Sequence, residues 1–581
     1  MQTIDTQLST KHKTNMTTPG DNQPTGGEAM VRMLQAHGVK HIFGLCGDTS
    51  LPWYDALARL DHSMTHILTR DERHAAYAAD AYARLTGKIG ICEGPSGGGA
   101  TYILPGVMEA NESSVPILAI TTDVATTSAG KYPLTELDQD ALFRPLTKWN
   151  GVVPQAPMLP RMVRAAFKAM STGRPGAAHL GLPFDVQKNP VPAEEIWADQ
   201  RYGRFPAHRA GPDPSDTEAV VSALLAARRP VVVCGGGVVL AGAEEELRRL
   251  AEGFDIAVCT TVSGQGALAE IHPNCAGVVG SNGGRPGTRA LVDAADLVLF
   301  IGCRAGSVTT ERWSTPSAGV TIAHIDNDPA VIGACYETAA AVCADARLAL
   351  AAISGLLDES GETRSFGGSA LAHDAKAQKW AAFNPLASSD ATPIKPERVI
   401  ATLNRLAPDD AIVVADPGTP CPYFSAYFEL KRAGRHFITN RAHGALGYAL
   451  GASVGAQIAR PNSKVICAMG DGSFGFSVGE LETVTRLGLP ITFIVFSNAV
   501  FGWIKAGQKS GFGERYFSVD FSRTDHAAVA RAFGLRSWTV SVPGELDGAL
   551  RGALAHDGPS MVDIISEPLQ DTAAPVSEWV S

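Results

Sequence analysis

The sequence predicts an α/β protein made of three doubly wound parallel-sheet domains. Short apolar runs alternate with helical segments along most of the chain, which is the pattern of parallel strands joined by crossover helices. The length of 581 residues is more than one hydrophobic core accommodates. Two intervals with few apolar clusters, 191–215 and 356–395, are predicted to be linkers. We therefore expect domains over 27–190, 216–355 and 396–570.

The first domain is predicted from one helical segment and a series of short β-like runs. Residues 29–36 have a helical pattern, and strands are expected at 41–44, 89–92 and 115–121. Residues 1–26 are rich in Thr, Gln, Asn and Gly and lack the apolar centre of a secretory signal. We expect this segment to be a disordered leader.

The second and third domains repeat the same alternation. Strands of the second domain are predicted at 230–233, 256–259, 297–301 and 321–325. Strands of the third domain are predicted at 411–415, 436–438, 465–469, 491–496 and 561–565. Residues 571–581 are expected to form a tail. Each run is short and bounded by Gly, Pro or polar residues, as in sheets covered by helices on both faces.

Composition and charge restrict the possible partners. The chain is 45% hydrophobic and 19% charged, as in globular proteins with a large core. Its 49 basic and 59 acidic residues give a net charge of −10 without a basic block, which argues against a nucleic-acid partner. No apolar run approaches the roughly 18 residues of a membrane span. The ten cysteines form no C-x-x-C pair, so we expect reduced thiols in a cytoplasmic protein.

The most informative motif is Gly470-Asp471-Gly472-Ser473, which follows a predicted strand. Asn498 follows the next strand along the chain, and a helical segment separates the two. The carboxyl ends of neighbouring parallel strands meet at the edge where open α/β sheets bind ligands. A carboxylate, an amide oxygen and the main-chain carbonyl of Val500 are oxygen ligands suited to Mg²⁺, which usually shares its ligands with phosphates. The pattern therefore predicts a site for a metal ion and a diphosphate.

A Gly-Asp-Gly motif followed by Asn at this separation resembles the fingerprint of enzymes that depend on thiamine diphosphate (ThDP). The resemblance implies that Asp471, Asn498 and the Val500 carbonyl bind the Mg²⁺ that anchors ThDP. The family usually has a second Asn where this chain has Ser497. The order of three domains is similar to the acetolactate synthase and pyruvate oxidase branch, which implies pyrimidine-binding, central and diphosphate-binding domains in turn.

Glu72 matches the catalytic glutamate of this family. It lies in a segment, 71–84, that resembles the helix carrying that glutamate in the family, although Asp71 stands where the family often has His. A buried carboxyl bonded to the pyrimidine ring of ThDP would help the ring take up and release a proton. The alternative is a first-turn acid favoured by the helix dipole. In relatives this glutamate and the metal site come from different subunits, which implies a homodimer or homotetramer.

Further positions match the family around the cofactor. Segment 443–452 resembles the part that carries a bulky wedge residue, here Leu446, and a glycine carbonyl facing the pyrimidine, here Gly444. Gly and Ala at this spacing also occur where helices pack closely. The turn after the strand at 411–415 places Gly418 and Thr419 near the diphosphate, and Ser473 follows the metal aspartate. The implied cofactor-binding set is Gly418, Thr419, Gly444, Leu446, Gly472 and Ser473.

Resemblance to the synthases extends to the reaction. Gln139 matches their active-site glutamine, and segments 148–150 and 513–516 are also similar. This implies an enzyme that decarboxylates a 2-oxo acid such as pyruvate and ligates the remaining fragment to a second carbonyl. Open alternatives are a non-ligating 2-oxo acid decarboxylase, a 2-hydroxyacyl-CoA lyase and an inactive regulatory homologue.

Two departures bear on substrate and cofactor. Gly507 stands where acetolactate synthases have a tryptophan that favours a bulkier 2-oxo acid acceptor, so donor or acceptor is expected to differ. The segment that contacts FAD in relatives is replaced at 305–308, which leaves FAD, an ADP-like nucleotide or neither as possibilities for the central domain. Arg285, Arg289 and Arg304 are candidates to bind such an anion or to form ordinary surface ion pairs.

Overall fold

The structure, a computed structural model, describes residues 23–579. Of the predicted leader, 1–26, residues 1–22 lie outside the described part of the chain. The described chain forms three six-stranded sheets in which every paired strand is parallel. Helices flank the sheets, so the predicted α/β class with three doubly wound domains is confirmed.

The first unit contains a sheet with the strand order β2-β1-β3-β4-β6-β5. Its strands are β1 (His41–Gly44), β2 (Thr65–Leu68), β3 (Gly90–Gly94), β4 (Ile117–Asp123), β5 (Trp149–Val152) and β6 (Ala178–Pro183). Its helices are α1 (Gly26–Ala36), α2 (Leu51–Arg59), α3 (Glu72–Thr86), α4 (Gly98–Tyr102), α5 (Leu104–Glu112), α6 (Gln139–Phe143), α7 (Leu159–Ser171) and α8 (Phe184–Lys188). Helix α1 begins three residues before the predicted helical pattern, because Thr25 caps it with Glu28 in a capping box.

The second unit contains a sheet with the strand order β12-β11-β10-β7-β8-β9. Its strands are β7 (Pro230–Cys234), β8 (Ala257–Thr260), β9 (Cys275–Val278), β10 (Leu297–Ile301), β11 (Thr321–Asp326) and β12 (Ala340–Cys343). Its helices are α9 (Pro214–Ala226), α10 (Gly236–Ala241), α11 (Glu244–Gly253), α12 (Pro286–Asp293), α13 (Ala346–Glu359) and α14 (Gly368–Ala387). The interval expected to be the second linker therefore contains α14, whose buried residues are mainly Ala372, Ala375 and Phe383.

The third unit contains a sheet with the strand order β14-β13-β15-β16-β18-β17. Its strands are β13 (Ile412–Ala415), β14 (Phe437–Thr439), β15 (Val465–Gly470), β16 (Thr492–Ser497), β17 (Arg536–Val540) and β18 (Ser560–Ile565). Its helices are α15 (Pro396–Leu406), α16 (Pro420–Tyr427), α17 (Tyr448–Ala459), α18 (Asp471–Ser477), α19 (Leu481–Arg486), α20 (Gly502–Gly511), α21 (His526–Ala532) and α22 (Pro543–Leu554).

Helices α3 and α17 join the first and third units through one shared hydrophobic core. Gly451 lies against His74, and Gly455 lies against Ala78 so closely that an added Cβ would stand 2.0 Å from the Ala78 carbonyl oxygen. These glycines therefore serve close helix packing, as one of the two interpretations of segment 443–452 predicts. Among residues 23–579, no helix is both long and apolar enough to cross a membrane.

Candidate cofactor site

A cavity of about 1080 Å³ opens at the carboxyl ends of the third sheet. The residues predicted for the cofactor and the metal all line it, namely Gly418, Thr419, Gly444, Leu446, Asp471, Gly472, Ser473, Asn498 and Val500. The cavity lies at the edge where open parallel sheets bind ligands, as the strand pattern predicts.

The pairing of two neighbouring strands brings the motif residues together. Strand β15 pairs with β16 in a register that sets Gly470 opposite Phe496. Helix α18 begins immediately after β15, at Asp471, while Asn498 follows β16 by one residue. Both side chains therefore start from the same edge of the sheet.

Asp471 is held by main-chain amides from both segments. Its Oδ2 accepts hydrogen bonds from the amides of Asn498 at 2.7 Å and Ala499 at 2.6 Å, and its Oδ1 accepts one from Gly472 at 2.8 Å. Ala499 adopts a left-handed conformation with φ of 57°, which forms the turn that brings both amides onto the carboxylate. The sequence predicts Asp471 as a ligand, and the structure adds how its carboxylate is oriented.

The donor set around Asp471 fits a hard cation. The carboxyl is buried, and that burial raises its pKa although three main-chain hydrogen bonds oppose the shift. In the described part of the chain no Lys or Arg forms an ion pair with Asp471. A buried carboxylate without a cationic side chain, together with an amide oxygen and a free carbonyl, is the ligand type that Mg²⁺ shares with phosphates. No cluster of three or more His, Cys, Asp and Glu within residues 23–579 is arranged to hold a metal.

A buried polar cluster holds the end of β16, directly before the predicted metal ligand Asn498. The hydroxyl of Ser497 donates to Asp563 and lies 2.9 Å from Nδ1 of His526. All three side chains are buried. Ser497 directly precedes Asn498, so the cluster fixes the end of β16 where the second Asn of the family would stand. The sequence indicates Ser497 only as a departure, because its partners lie 29 and 66 residues away.

Asp416 fixes the loop that carries Leu446. Its Oδ2 accepts a hydrogen bond from the amide of Gly447 at 3.1 Å, and its Oδ1 accepts one from Ala449 at 2.8 Å. Asp416 thus satisfies free amides at the start of α17, as a capping residue does. Complete burial raises the pKa of Asp416 to about 7. The sequence alone indicates only that Asp416 follows the strand predicted at 411–415.

The first unit also contacts this loop. The hydroxyl of Tyr448 donates to Asp80, and Asp80 accepts a second hydrogen bond from Arg84 Nε at 2.8 Å. Both residues of the first unit lie on α3, and their side chains are almost fully buried. The beginning of α17 is therefore held from α3 as well as from Asp416.

Glu72 is the first residue of α3, as the motif predicts, but it does not line the cavity within its own chain. Asp71 caps the helix by accepting a hydrogen bond from the amide of Arg73 at 2.8 Å. The Glu72 side chain is buried beside Gly94 and Gly99. Burial raises the pKa of Glu72, and the nearby charges of Asp71 and Glu93 raise it further.

Gln139 is buried in the first unit, also away from this cavity. Its Nε2 donates to the carbonyl of Thr122 at 2.9 Å, and its amide oxygen accepts from the Thr121 hydroxyl. Asp123 lies beside it at the end of β4, where burial raises the Asp123 pKa to about 6. The described residues of one chain therefore bring the metal and cofactor set together but leave Glu72 and Gln139 outside it.

A second cavity of about 440 Å³ lies between the second unit and the first. Gly235, Gly236 and Gly237 line it at the end of β7, and Asp326 lines it at the end of β11. Arg304 also lines this cavity and pairs with Glu112 at 3.6 Å. The other two candidate arginines do not line this cavity. Arg289 pairs with Glu311 and Asp293, and Arg285 lies over the ring of Tyr427 in the third unit.

The end of the described chain closes one side of the first cavity. Trp579 packs edge to face on Trp503, with ring centroids 5.1 Å apart, and Glu578 pairs with Arg312 at 3.4 Å. Three consecutive residues, 311–313, have left-handed backbone angles at this wall. Such conformations are costly for residues with side chains and concentrate at functional sites.

Comparison with known proteins gives matches over all three units. The profile for the N-terminal binding domain of thiamine pyrophosphate enzymes matches residues 24–142. The profile for their central domain matches 217–353, and that for their C-terminal binding domain matches 416–564.

Similar relatives span nearly the whole chain. The probable acetolactate synthase large subunit of Methanococcus aeolicus is 33% identical over 564 residues, covering 94% of this chain and 92% of that protein. The protein of the same name from Methanocaldococcus jannaschii is 34% identical over 560 residues, with the same coverage. The acetolactate synthase large subunit of Porphyra purpurea is 31% identical over 552 residues, covering 93% and 92%. The chain therefore belongs to the thiamine diphosphate-dependent enzymes, in the acetolactate synthase-like family.

Proposed function

We propose that the protein is a Mg²⁺- and ThDP-dependent carboligase that decarboxylates a 2-oxo acid such as pyruvate and ligates the remaining fragment to a second carbonyl. The observation that supports this most is the meeting of the metal set with Leu446 and Gly444 in one cavity. When bound, ThDP supplies a carbon nucleophile that adds to the substrate carbonyl and accepts the electron pair left by CO₂.

The residues of this chain divide the remaining work. Asp471, Asn498 and the Val500 carbonyl would hold the Mg²⁺ and through it the diphosphate. Gly418, Thr419, Gly472 and Ser473 would position the diphosphate, since they line the same cavity. Leu446 would hold the two rings of the cofactor at an angle, and the Gly444 carbonyl would accept from the pyrimidine amino group. We assign to Glu72 the exchange of a proton with the pyrimidine ring, and to Gln139 a role beside the substrate.

We further propose that two copies of the chain complete each site. The cavity has its metal set but neither Glu72 nor Gln139 from its own chain. A second copy that brings the start of its α3 to the cavity would supply the missing acid. The assembly is then a homodimer or homotetramer with a small-molecule substrate, and we expect it to act in the cytoplasm.

For the second cavity we propose an adenine nucleotide as the ligand. Glycines at the end of β7 allow close approach of a diphosphate, and Asp326 at the end of β11, two strands away in the same sheet, suits a ribose. FAD and an ADP-like nucleotide both contain this diphosphate and ribose. The visible absorbance of the purified protein distinguishes them, because only the flavin absorbs there, and titration with ADP tests the second.

Separation of products after incubation with ThDP, Mg²⁺ and pyruvate tests the proposed reaction. Acetolactate is the expected product besides CO₂, and acetaldehyde with CO₂ but no acetolactate would identify a decarboxylase instead. Recovery of unchanged pyruvate from protein shown to bind ThDP would favour an inactive homologue or another donor. Because Gly507 lines the cavity where relatives have a tryptophan, a panel of larger 2-oxo acids and acyl-CoA compounds belongs in the same assay.

A further inference from the structure

A buried histidine on β6, His179, lies behind Gln139 and does not line the cofactor cavity. It has no exposure to solvent, and its ring stacks on that of Phe143 with the centroids 3.6 Å apart. Phe143 is the last residue of α6, the helix that begins at Gln139. Buried polar groups in proteins nearly always have hydrogen-bond partners. The partners of His179 therefore indicate what this residue supports.

Thr121 connects His179 to Gln139. The Thr121 hydroxyl lies 2.6 Å from Nε2 of His179 and contacts the side-chain oxygen of Gln139. The side-chain nitrogen of Gln139 donates to the main-chain carbonyl of Thr122 at 2.9 Å. Both ends of the Gln139 amide are therefore bonded to consecutive residues of β4.

The register of the first sheet places this cluster on the same face as Glu72. Successive residues of a strand face opposite sides of a sheet, and paired residues face the same side. His179 pairs with Ala119 of β4, so Thr121, two residues further on, faces the same side as His179. Thr121 pairs with Gly94 of β3, where an added Cβ would stand 3.0 Å from Cγ of Glu72. Thr121 and Glu72 therefore share one face and one end of the sheet.

The protons of this cluster have one arrangement that satisfies every contact. The oxygen of Gln139 can only accept, so the single proton of the Thr121 hydroxyl points to it. The hydroxyl oxygen then accepts from His179, which requires the tautomer with its proton on Nε2. Nδ1 is left without a proton, and it is buried without a hydrogen-bond partner in the described structure. Burial lowers the pKa of His179 to about 3, so the ring carries no charge at pH 7.

This arrangement determines which end of Gln139 can meet a ligand. Its oxygen already accepts from Thr121, whereas its nitrogen carries two protons and uses one of them on the Thr122 carbonyl. Burial raises the pKa of the neighbouring Asp123, and a hydrogen bond from Gln139 opposes that shift. The second N–H of Gln139 is thus directed to the end of β4, where it can bind an acceptor oxygen.

We propose that Thr121, oriented by His179, is a positioning residue that makes Gln139 present an N–H donor, and not its oxygen, to the substrate. The inference rests on the proposed function, in which Gln139 lies beside the substrate. The group that Gln139 binds is then an acceptor, such as the ketone or carboxylate oxygen of a 2-oxo acid. A substrate hydroxyl or amine that must donate a proton finds no acceptor on this side chain.

Neutron diffraction from crystals of the perdeuterated native protein without cofactor tests the proton positions directly. We expect deuterium on Nε2 of His179 and none on Nδ1. We also expect the Thr121 hydroxyl to point to Gln139, and both amide deuterons of Gln139 to lie on the end that faces Thr122. Deuterium on Nδ1 alone, or a Gln139 nitrogen turned toward Thr121, would overturn the proposal.

Kinetics with pyruvate, ThDP and Mg²⁺ measure the effect on turnover. Thr121→Val keeps the shape of the side chain but removes the donor that fixes the Gln139 oxygen, so kcat/KM for pyruvate should fall about tenfold. The affinity for ThDP should stay at the native value, because Thr121 does not line the cofactor cavity. Thr121→Ser restores the hydroxyl and should recover kcat/KM to within about threefold of the native value.

Thr492→Val is the matched control for a merely structural effect. Thr492 is equally buried, and its hydroxyl donates to the Ala553 carbonyl at the start of β16, away from the metal set. We expect native kcat/KM in this variant. An equal loss in Thr121→Val and Thr492→Val, or no recovery in Thr121→Ser, would show that Thr121 serves only the packing of its strand and would overturn the proposal.

His179→Leu provides a second variant if Thr121→Val folds poorly. The Thr121 hydroxyl then loses the N–H that fixes its direction, and kcat/KM should fall about threefold. His37→Leu is its control, because His37 is also a buried histidine stacked on a phenylalanine, Phe167, and bonded only within α1 and its cap. Equal values in the two variants would contradict the role of His179. If native protein that binds ThDP leaves pyruvate unchanged, the proposed function fails, whereas the neutron map still decides how Gln139 is presented.

Discussion

Glu109 of the first unit accepts a hydrogen bond from the main-chain amide of His443 in the third, at 2.7 Å. The same oxygen accepts from the amide of Ala442 at 3.2 Å, while Oε1 of Glu109 accepts from Arg84 and Ser113. Glu109 has no solvent exposure. A carboxylate on α5 therefore holds the start of the loop that carries Gly444 and Leu446, more than three hundred residues along the chain.

Substitution of Glu109 should loosen this loop. In Glu109→Gln the charge opposite Arg84 is lost. Only one end of the amide group is an oxygen, so the side chain cannot accept hydrogen bonds from the loop at one end and from Arg84 at the other. We expect a loss of about 3 kcal/mol in the free energy of unfolding and about a tenfold weaker affinity for ThDP. Chemical denaturation and calorimetric titration measure the two effects. Glu112→Gln on the same helix is the control, and equal losses there would contradict a specific role of Glu109.

Asp416 should make the stability of the cofactor-free protein depend on pH. Its pKa is about 7 in the folded chain and about 4 when unfolded, so the folded state binds the extra proton between these values. Stability from this group is therefore fully present below about pH 4 and is lost as pH rises toward 7, by about 4 kcal/mol in total. Urea unfolding across this range should show the decline in the native chain and a smaller one in Asp416→Asn. The exposed Asp61→Asn is the control, and a native slope that survives in Asp416→Asn would argue against this assignment.

The buried cluster of Ser497, Asp563 and His526 predicts an effect on metal affinity. Ser497→Ala leaves the buried Asp563 without its hydroxyl donor and loosens the residue before Asn498. We expect the apparent affinity for Mg²⁺ in the presence of ThDP to fall about tenfold, as for groups that orient metal ligands. Ser560→Ala, a buried serine on β18 that bonds to Thr492 and Ala553, is the matched control. Equal affinity in both variants would remove Ser497 from the support of the site.

Removal of the metal carboxylate should have a larger effect. Asp471→Asn keeps the size of the side chain but lacks the charge that a divalent cation needs, so Mg²⁺-dependent binding of ThDP should weaken about a hundredfold. Titration with ThDP at fixed Mg²⁺ and with chelator measures this. Asp520→Asn, an exposed residue of the same region that pairs with Lys505, should bind normally. Native binding by Asp471→Asn, or binding unaffected by chelator, would contradict the metal assignment.

The fold and the metal set could be predicted because both follow from local patterns. Strands β15 and β16 are continuous apolar runs, and the residues after them must meet at one sheet edge once the strands pair. Short strands with partly exposed residues, such as β2 and β5, have weaker patterns and were not predicted. Helix α14 buries few large side chains, so its composition resembled that of a linker.

The supporting residues could not be predicted because their partners are remote in sequence. Asp416 bonds to amides 31 and 33 residues later. Glu109 bonds to amides 333 and 334 residues later. Such contacts depend on how the units pack, which no spacing within a motif encodes.

Mixing of two inactive variants tests most directly the claim that an acid of the first unit and a metal site of the third serve one cofactor. Glu72→Gln and Asp471→Ala should each be inactive alone, and should together recover about a quarter of the native rate when subunits exchange at random, because half of the dimers then contain one intact site. Recovery to that level is the predicted result. No recovery despite demonstrated subunit exchange, or substantial activity of Glu72→Gln alone, would contradict the account.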